Sequence, residues 1–290
     1  MSKASTSLRQ RIANGRPLLL PGAFDALTAL VVAELGFEAV YVSGAGVTNA
    51  SLGVPDIGLI TLTELAGHVQ AMREVVDIPI VVDADTGFGG PMNVRRTVQV
   101  LQRAGADAIQ LEDQTFPKRC GHFTGKDVIP AAEMEAKLTA ALDARTSDDL
   151  LIIARTDARA NLGIDEAIQR VERYRQIGAD VAFVEAPLSE QELVRVGAEV
   201  NGPKLVNMIE GGLTPVLPAE RLGEMGFTII LYANSALRAA VYGIRTVLGR
   251  LHEDGTTLGV VDAMVSWDER QRLVGKPSFD EMELRYEVKE

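Results

Sequence analysis

The sequence predicts a single closed (β/α)8 barrel, an α/β fold, and three observations carry the prediction. Eight short apolar runs, each followed by a polar or glycine-rich turn, recur along the 290 residues. They are rich in β-branched residues and do not alternate with polar ones, as expected of parallel strands covered on both faces. The stretches between them have helical periodicity, and a length near 290 suits a fold whose usual size is about 250 residues.

The runs are Leu18–Leu20, Ala39–Val42, Ile78–Val82, Ala108–Leu111, Leu150–Ala154, Val181–Val184, Lys204–Val206 and Thr228–Leu231. Helices are expected over Asp25–Leu35, Asn93–Ala104 and Asp165–Ile177, stopping at Gly36, Gly105 and Gly178 as C-cap glycines do. Gly-Ala-Asp follows twice, at 105–107 and 178–180, in the place of a helix-to-strand turn. A doubly wound open sheet is the competing architecture, but eight evenly spaced units favour closure. Ser235–Leu251 reads as a long last helix. The barrel is therefore expected over 1–253, and a tail over 254–290, with Trp267 and the ending EMELRYEVKE, lies beyond what its core needs. Such a tail packs on the barrel's own surface or on another subunit.

Composition removes several function classes. Net charge is −11, which argues against nucleic acid or an anionic membrane surface as partner. A single cysteine rules out an internal disulfide framework and suits a reducing compartment. No apolar run approaches the roughly 20 residues that span a bilayer. The opening MSKASTSLRQRIANG lacks a signal-peptide core, so a soluble, cytoplasmic protein is expected.

Residues just after each strand line the C-terminal mouth of a barrel, where active sites of this fold lie. Here they are Ser43, Asp83 and Asp85, Glu112, Arg155, Glu185, Asn207 and Tyr232. Asp83, Asp85 and Glu112 are hard oxygen donors without His or Cys beside them, which suits Mg²⁺ or Mn²⁺ rather than zinc. The alternative is that Asp85 and Gly87–Gly90 only form a turn and cap the next helix. DTGFGG lacks the Lys-Ser/Thr of a P-loop, so it is a weak phosphate signal. Ser43-Gly44-Ala45-Gly46 either lets backbone N–H groups approach an anion or is a plain loop. Arg155 can grip a carboxylate in a fork and Asn207 can donate to one, unless Arg155 is spent on Asp157 or Glu185. His68 and His252 fall in helical periods and read as surface or packing residues.

The stretch Leu111–Gly125, LEDQTFPKRCGHFTG, places Lys118, Arg119, Cys120 and His122 on one loop marked by Pro117 and Gly121. Cations, a thiol and an imidazole so close together suit a site that holds an anion and hands over a proton.

These segments resemble the isocitrate lyase/phosphoenolpyruvate mutase superfamily, nearest its small 2-methylisocitrate lyase, 2,3-dimethylmalate lyase and carboxyphosphonoenolpyruvate phosphonomutase branches. The likeness rests on YVSGAG (41–46), GVPDIG (53–58), VVDADTGFG (81–89), LEDQTFPKRCGH (111–122), IIARTDA (152–158), FVEAP (183–187) and NMIEGG (207–212). It implies a TIM-type barrel whose C-terminal helix is exchanged between subunits, in homotetramers built as dimers of dimers. It implies Mg²⁺ held by Asp83 and Asp85, with Asp56 and Glu112 acting through water. Tyr41, Ser43, Gly44, Ala45, Asp83, Gly121, Arg155 and Asn207 become the substrate-binding set, helped by Glu185. The segment around Lys118–Gly125 becomes a gate and Cys120 the general acid, with Lys118, His122, Glu185 and Arg155 completing the catalytic group. The implied reaction is Mg²⁺-dependent retro-aldol cleavage of a substituted malate or (methyl)isocitrate-type di- or tricarboxylate, giving a 2-oxo acid and a carboxylate. Phosphonomutase chemistry, oxaloacetate hydrolysis or decarboxylation, and a non-catalytic scaffold are the competing readings. YANSALRAA (232–240) departs from the YPLS-like pattern expected in the lyases, so Ala233 and Asn234 bear on the substrate's side group.

Overall fold

A computed structural model describes residues 7–119, 121, 125 and 127–287. Eight parallel strands close in sequence order: β1 (Leu18–Ala23), β2 (Val40–Val42), β3 (Ile80–Asp83), β4 (Ala108–Glu112), β5 (Leu151–Thr156), β6 (Val181–Val184), β7 (Lys204–Asn207) and β8 (Ile229–Tyr232). β8 closes on β1 with Leu18 opposite Ile229 and Leu20 opposite Leu231. Every expected strand is present, displaced by a few residues at most.

Successive strand residues face opposite sides of a sheet, so one parity fills the barrel and the other meets the helices. Leu18, Leu20, Tyr41, Val81, Ala108, Leu151, Ile153, Val181, Phe183, Leu205, Ile229 and Leu231 form the inner core. Continuing that parity towards the strand ends brings Ser43, Asp83, Glu112, Arg155, Glu185 and Asn207 to the inner side. The opposite parity, including Val40, Val82, Ile109, Leu111 and Ile152, packs outwards on the helices. A short helix the sequence reading did not foresee, Leu8–Ala13, adds Leu8 and Ile12 to the inner core.

The helix Pro91–Ala104 starts ahead of the expected Asn93 because Pro91 occupies its first turn, where a missing N–H costs nothing. Its C-cap Gly105 has φ 106°, a conformation that only glycine adopts without strain. The repeated Gly-Ala-Asp turns have a further purpose. Asp107 accepts from the backbone N–H of Ile80 at 2.7 Å and from Arg73 at 2.6 Å. Asp180 accepts from the N–H of Ile152 at 2.8 Å and pairs with Arg9 and Arg145. Each aspartate thus fastens its own strand's entry to the neighbouring strand.

The chain divides into two compact units, one running to Ser235 and the other from Ala236 onwards. The second contains most of the helix Ser235–Asp254, a 3-10 turn over Leu258–Ala263 and the helices Trp267–Leu273 and Lys276–Tyr286. None of these elements buries a residue. Tyr242, Leu258 and Trp267 are 75%, 83% and 69% exposed. Among the described residues, no helix is long and apolar enough to cross a membrane.

At the seam between β1 and β8, a Cβ on Gly22 would overlap the carbonyl of Ala233, which is backbone and has no rotamer to escape into. Gly22→Ala is expected to destabilise the protein by about 1–3 kcal/mol, as overpacking does. A lowered urea midpoint with an unchanged far-UV spectrum checks it.

Candidate active site

A cleft at the C-terminal ends of the strands is lined by Tyr41, Ser43, Ala45, Asp56, Asp83, Glu112, Lys118, Arg119, Gly121, Arg155, Glu185 and Asn207. Ile209, Leu231, Ala233 and Asn234 complete its wall. Most of the residues singled out from sequence therefore meet in one place. Asp85 joins them through Lys118, and Gly44 through Asp83. Cys120 and His122 lie outside the described residues. Tyr232 is half-buried and does not line the cleft.

The charge arrangement is dense. Asp56, Asp83, Asp85, Glu112, Asp157 and Glu185 are all buried, with Lys118 and Arg155 buried among them. The Lys118 ammonium stands 2.5 Å from Asp56 Oδ1 and 2.7 Å from Asp85 Oδ1. Burial works to lower its pKa, but Asp85, Glu112, Asp56 and Asp83 together hold it well above the usual lysine range. Burial pushes Asp85 up to about 7; Lys118 opposes the rise, and Asp83 and Asp56 add to it. Glu112 is likewise raised well above the carboxylate range by burial, against the pull of Arg155.

Arg155 takes the pairing that the sequence left open. Its Nε and Nη2 donate to Asp157 at 2.8 and 3.1 Å, a fork-to-fork contact. Nε also lies 3.3 Å from Glu112 and Nη1 3.7 Å from Glu185, while the guanidinium carbon sits 5.3 Å from the centre of the Phe183 ring. Arg155 is thus locked in orientation and still borders the cleft. Gly121 presses on the same pair, since a Cβ there would overlap Glu185 Oε1 and Arg155 Nη2.

Ser43-Gly44-Ala45-Gly46 is no plain loop. Ser43 caps the helix Gly44–Leu52, accepting from Gly46 N–H at 3.0 Å and donating to Asn234 Oδ1 at 3.1 Å. A helix start offers N–H groups that lack intrahelical partners, which suits an anion. Gly44 leaves room for the carboxylates: a Cβ would lie 3.1 Å from Asp83 Oδ2. The Asp83–Gly90 turn is tight too, with Asp85 and Phe88 in the left-handed region at φ 48° and 60°. A Cβ on Gly87 would come within 2.5 Å of Val94 Cγ2. His68 is half-buried on the helix Leu62–Arg73 and bonds Ser51 at 3.1 Å, and His252 is exposed on a helix of the second unit.

Two supporting groups escaped the sequence reading. Gln110 is buried inside the barrel, accepting from Tyr41 Oη at 3.0 Å and donating to Asp83 Oδ1 at 3.2 Å. A glutamine inside the run AIQL was the available signal. Tyr41 therefore reaches Asp83 through Gln110, and burial near Asp83 drives its phenol pKa well above the normal value. Asp113, on the opposite face of β4's end from Glu112, accepts from Thr156 Oγ1 (2.7 Å), Asp157 N–H (2.9 Å), Tyr174 Oη (2.9 Å) and Arg170 (3.0 Å). It fixes the turn that presents Asp157 to Arg155.

The four acids expected around a metal converge on one region, but Lys118 stands between Asp56 and Asp85. Among the described residues, no three metal-ligating side chains form a ready cluster. The donor set nevertheless fits a hard divalent cation, which takes one or two direct carboxylates and fills its other positions with water. Glu112 Oε1 is buried with no hydrogen-bond partner, as is Asn207 Oδ1, and a cation or its water would satisfy such atoms.

The family model described as phosphoenolpyruvate phosphomutase matches residues 8–252. The chain belongs to the phosphoenolpyruvate mutase/isocitrate lyase superfamily. It is 41% identical over 282 residues to 2,3-dimethylmalate lyase of Eubacterium barkeri, covering 97% of this chain and 98% of that protein. A crystal structure of 2,3-dimethylmalate lyase, a member of the same superfamily, superposes with TM-score 0.91 at 34% identity, over 98% of this chain and 96% of that one. Phosphonopyruvate hydrolase in complex with oxalate and Mg²⁺ superposes with TM-score 0.88 at 30% identity, over 97% and 98%. The protein is an enzyme of this superfamily.

Asp113→Ala removes the acceptor of Thr156 Oγ1, Tyr174 Oη and the Asp157 N–H, while Arg170 keeps Glu166 and the Ile129 carbonyl. It is expected to cost about 1–3 kcal/mol, the range for leaving buried donors without their partner. A fall in the thermal midpoint checks it, with Arg170→Met affected in the same direction.

Proposed function

We propose that this enzyme is a Mg²⁺-dependent carbon–carbon lyase that cleaves a substituted malate or (methyl)isocitrate-type 2-hydroxy acid into a 2-oxo acid and a carboxylate. The observation that carries the reading is the pairing of carboxylate grips with a hard-oxygen set in one cleft, in a chain alike end to end with a dimethylmalate lyase. Asp83 and Asp85 would hold Mg²⁺ directly, with Asp56 and Glu112 acting through water. When bound, the cation draws charge from the substrate's hydroxyl and carboxylate oxygens.

The chain's own residues divide the remaining work. Ser43, Gly44 and Ala45, at the helix start, receive a substrate carboxylate, with Asn207 and Arg155 opposite. Glu185, on the inner side of the barrel after β6, or a water would take the substrate's hydroxyl proton, and breaking the C2–C3 bond then leaves an electron-rich carboxylate fragment. Lys118, Arg119 and His122 supply positive charge to that fragment, and Cys120 delivers the proton that quenches it. The cleft has only about 30 Å³ of free space, about enough for one or two waters. Substrate entry therefore requires the Lys118 segment to withdraw from Asp56 and Asp85, which fits the gate expected over Lys118–Gly125.

The same reading assigns a homotetramer, a dimer of dimers in which residues 254–290 pack on a neighbouring subunit. Support comes from the second unit, whose large apolar side chains are exposed within it.

Release of a 2-oxo acid is expected from one of 2,3-dimethylmalate, 2-methylisocitrate, isocitrate or another 2-alkylmalate with Mg²⁺, and none with EDTA. Turnover of oxaloacetate alone would assign a hydrolase or decarboxylase instead, and silence across the panel would turn attention to phosphonates. Cys120→Ser should lower kcat by about 10²–10⁴-fold, the usual weight of a positioned proton donor, with Mg²⁺ affinity nearly unchanged. Near-normal turnover would remove the thiol from the mechanism. Deleting residues 254–290 should yield smaller assemblies by light scattering, and an intact tetramer would rule out the exchanged tail.

A further inference from the structure

A second cavity lies in the first unit, on the other side of the segments that carry Asp56, Asp85 and Lys118. It has a volume of about 540 Å³, and its lining includes Ile60, Leu62, Phe88, Phe116, Ile129 and Lys137. Small-molecule sites typically fall between about 300 and 1,000 Å³ and combine apolar walls with a few polar groups. This cavity meets that description better than the cleft, whose lining is mostly charged or polar.

Lys137 gives the cavity its chemistry. It sits on the helix Ala131–Ala144 and is only 6% exposed. Its ammonium donates one hydrogen bond, to the carbonyl of Thr86 at 3.2 Å, and no carboxylate among the described residues stands within ion-pair distance. An ammonium has three donors, so two await an acceptor in a largely apolar setting. Burial lowers the Lys137 pKa, and Glu133, an exposed residue one helical turn earlier, only partly offsets it. An anion at this amine would form a charge-assisted hydrogen bond where the protein supplies none. Gln114, also buried in the lining, is already committed: its amide donates to Arg119 O at 2.8 Å and accepts from Arg119 N–H at 2.9 Å.

We propose that this cavity is a second ligand site, taking a monocarboxylic acid with an apolar body whose carboxylate meets Lys137 and whose hydrocarbon part lies against Phe88, Phe116, Ile60 and Leu62. One buried cation with Glu133 nearby favours a single negative charge, which separates this ligand class from the di- and tricarboxylates proposed for the cleft. The location gives occupancy a consequence. Gly58, Thr86 and Phe116 line the cavity, and each lies within two residues of Asp56, Asp85 or Lys118. A ligand there braces the segments that shape the cleft from behind.

Calorimetric titration of the full-length protein with hexanoate, hexanol and succinate tests the site. Hexanoate is expected to bind at one site, with hexanol and succinate weaker by about tenfold or more, the value of a charge-assisted hydrogen bond. Lys137→Met should weaken hexanoate by a similar factor. Phe116→Ala, at a wall residue 75% exposed and so of little weight in folding, should weaken it severalfold. Arg155→Met, in the cleft, should leave hexanoate binding unchanged. Absence of hexanoate binding, unchanged affinity in both cavity variants, or loss of binding in Arg155→Met would each overturn the proposal. None of these readouts depends on the lyase reading, so the two stand or fall separately.

Discussion

The structure at the strand ends depends on two buried cations, Lys118 and Arg155, set among six buried carboxylates. Charges taken out of water are costly unless paired and hydrogen-bonded. Lys118 joins the segment after Gly53 to the turn after β3 by meeting Asp56 and Asp85 together, and Arg155 joins the ends of β4, β5 and β6 through Glu112, Asp157 and Glu185. Acids still outnumber these cations, and burial raises Asp85 and Glu112 towards the protonated form. A region in that condition has a standing affinity for added positive charge, which suits the divalent cation proposed for it. With the proposed cation bound, the overall acidity of the chain would not repel the proposed anionic substrate, because a local dication and two fixed cations outweigh screened surface charge.

Buried hydrogen-bond partners behind the cleft make the arrangement rigid. Gln110 ties Tyr41 to Asp83 inside the barrel, and Asp113 ties Thr156, Asp157, Tyr174 and Arg170 together outside it. Glu112 and Asp113 are neighbours in sequence with opposite duties, because successive residues at the end of β4 face opposite sides of the sheet. The first borders the cleft and the second braces the turn behind Arg155. Fixing a charged side chain through a buried partner is what lets a site meet its substrate without reorganising.

The apolar cavity around Lys137 shares its walls with this region. Segments with a charged cleft on one side and an apolar cavity on the other cannot shift without changing both. The first unit thus holds two chemically unlike spaces, whereas the helices of the second unit, without a buried residue among the described ones, offer apolar side chains with no core to enter.

Much of this was decided by the sequence alone. Eight β-branched runs separated by helical periods specify a closed barrel, because parallel strands must be covered on both faces and eight such units suffice to close. The polar residue after each run then falls at the mouth, so Asp83, Glu112, Arg155, Glu185 and Asn207 were legible before any coordinates. Other features were not, since they depend on distance and not on pattern. Lys118 meets Asp56 across 62 positions of sequence, and Asp113 meets Tyr174 across 61. The helix Gly44–Leu52 was hidden because its glycines and small polar residues are weak helix formers, and only Ser43 capping against a packed strand end makes it start there. The Leu8–Ala13 helix was too short to show a period, and it is held by adding Leu8 and Ile12 to the barrel's inner core and by pairing Arg9 with Asp180. Local periodicity is written into the chain. Which buried charges face one another is settled only when the barrel closes and the dielectric around them falls.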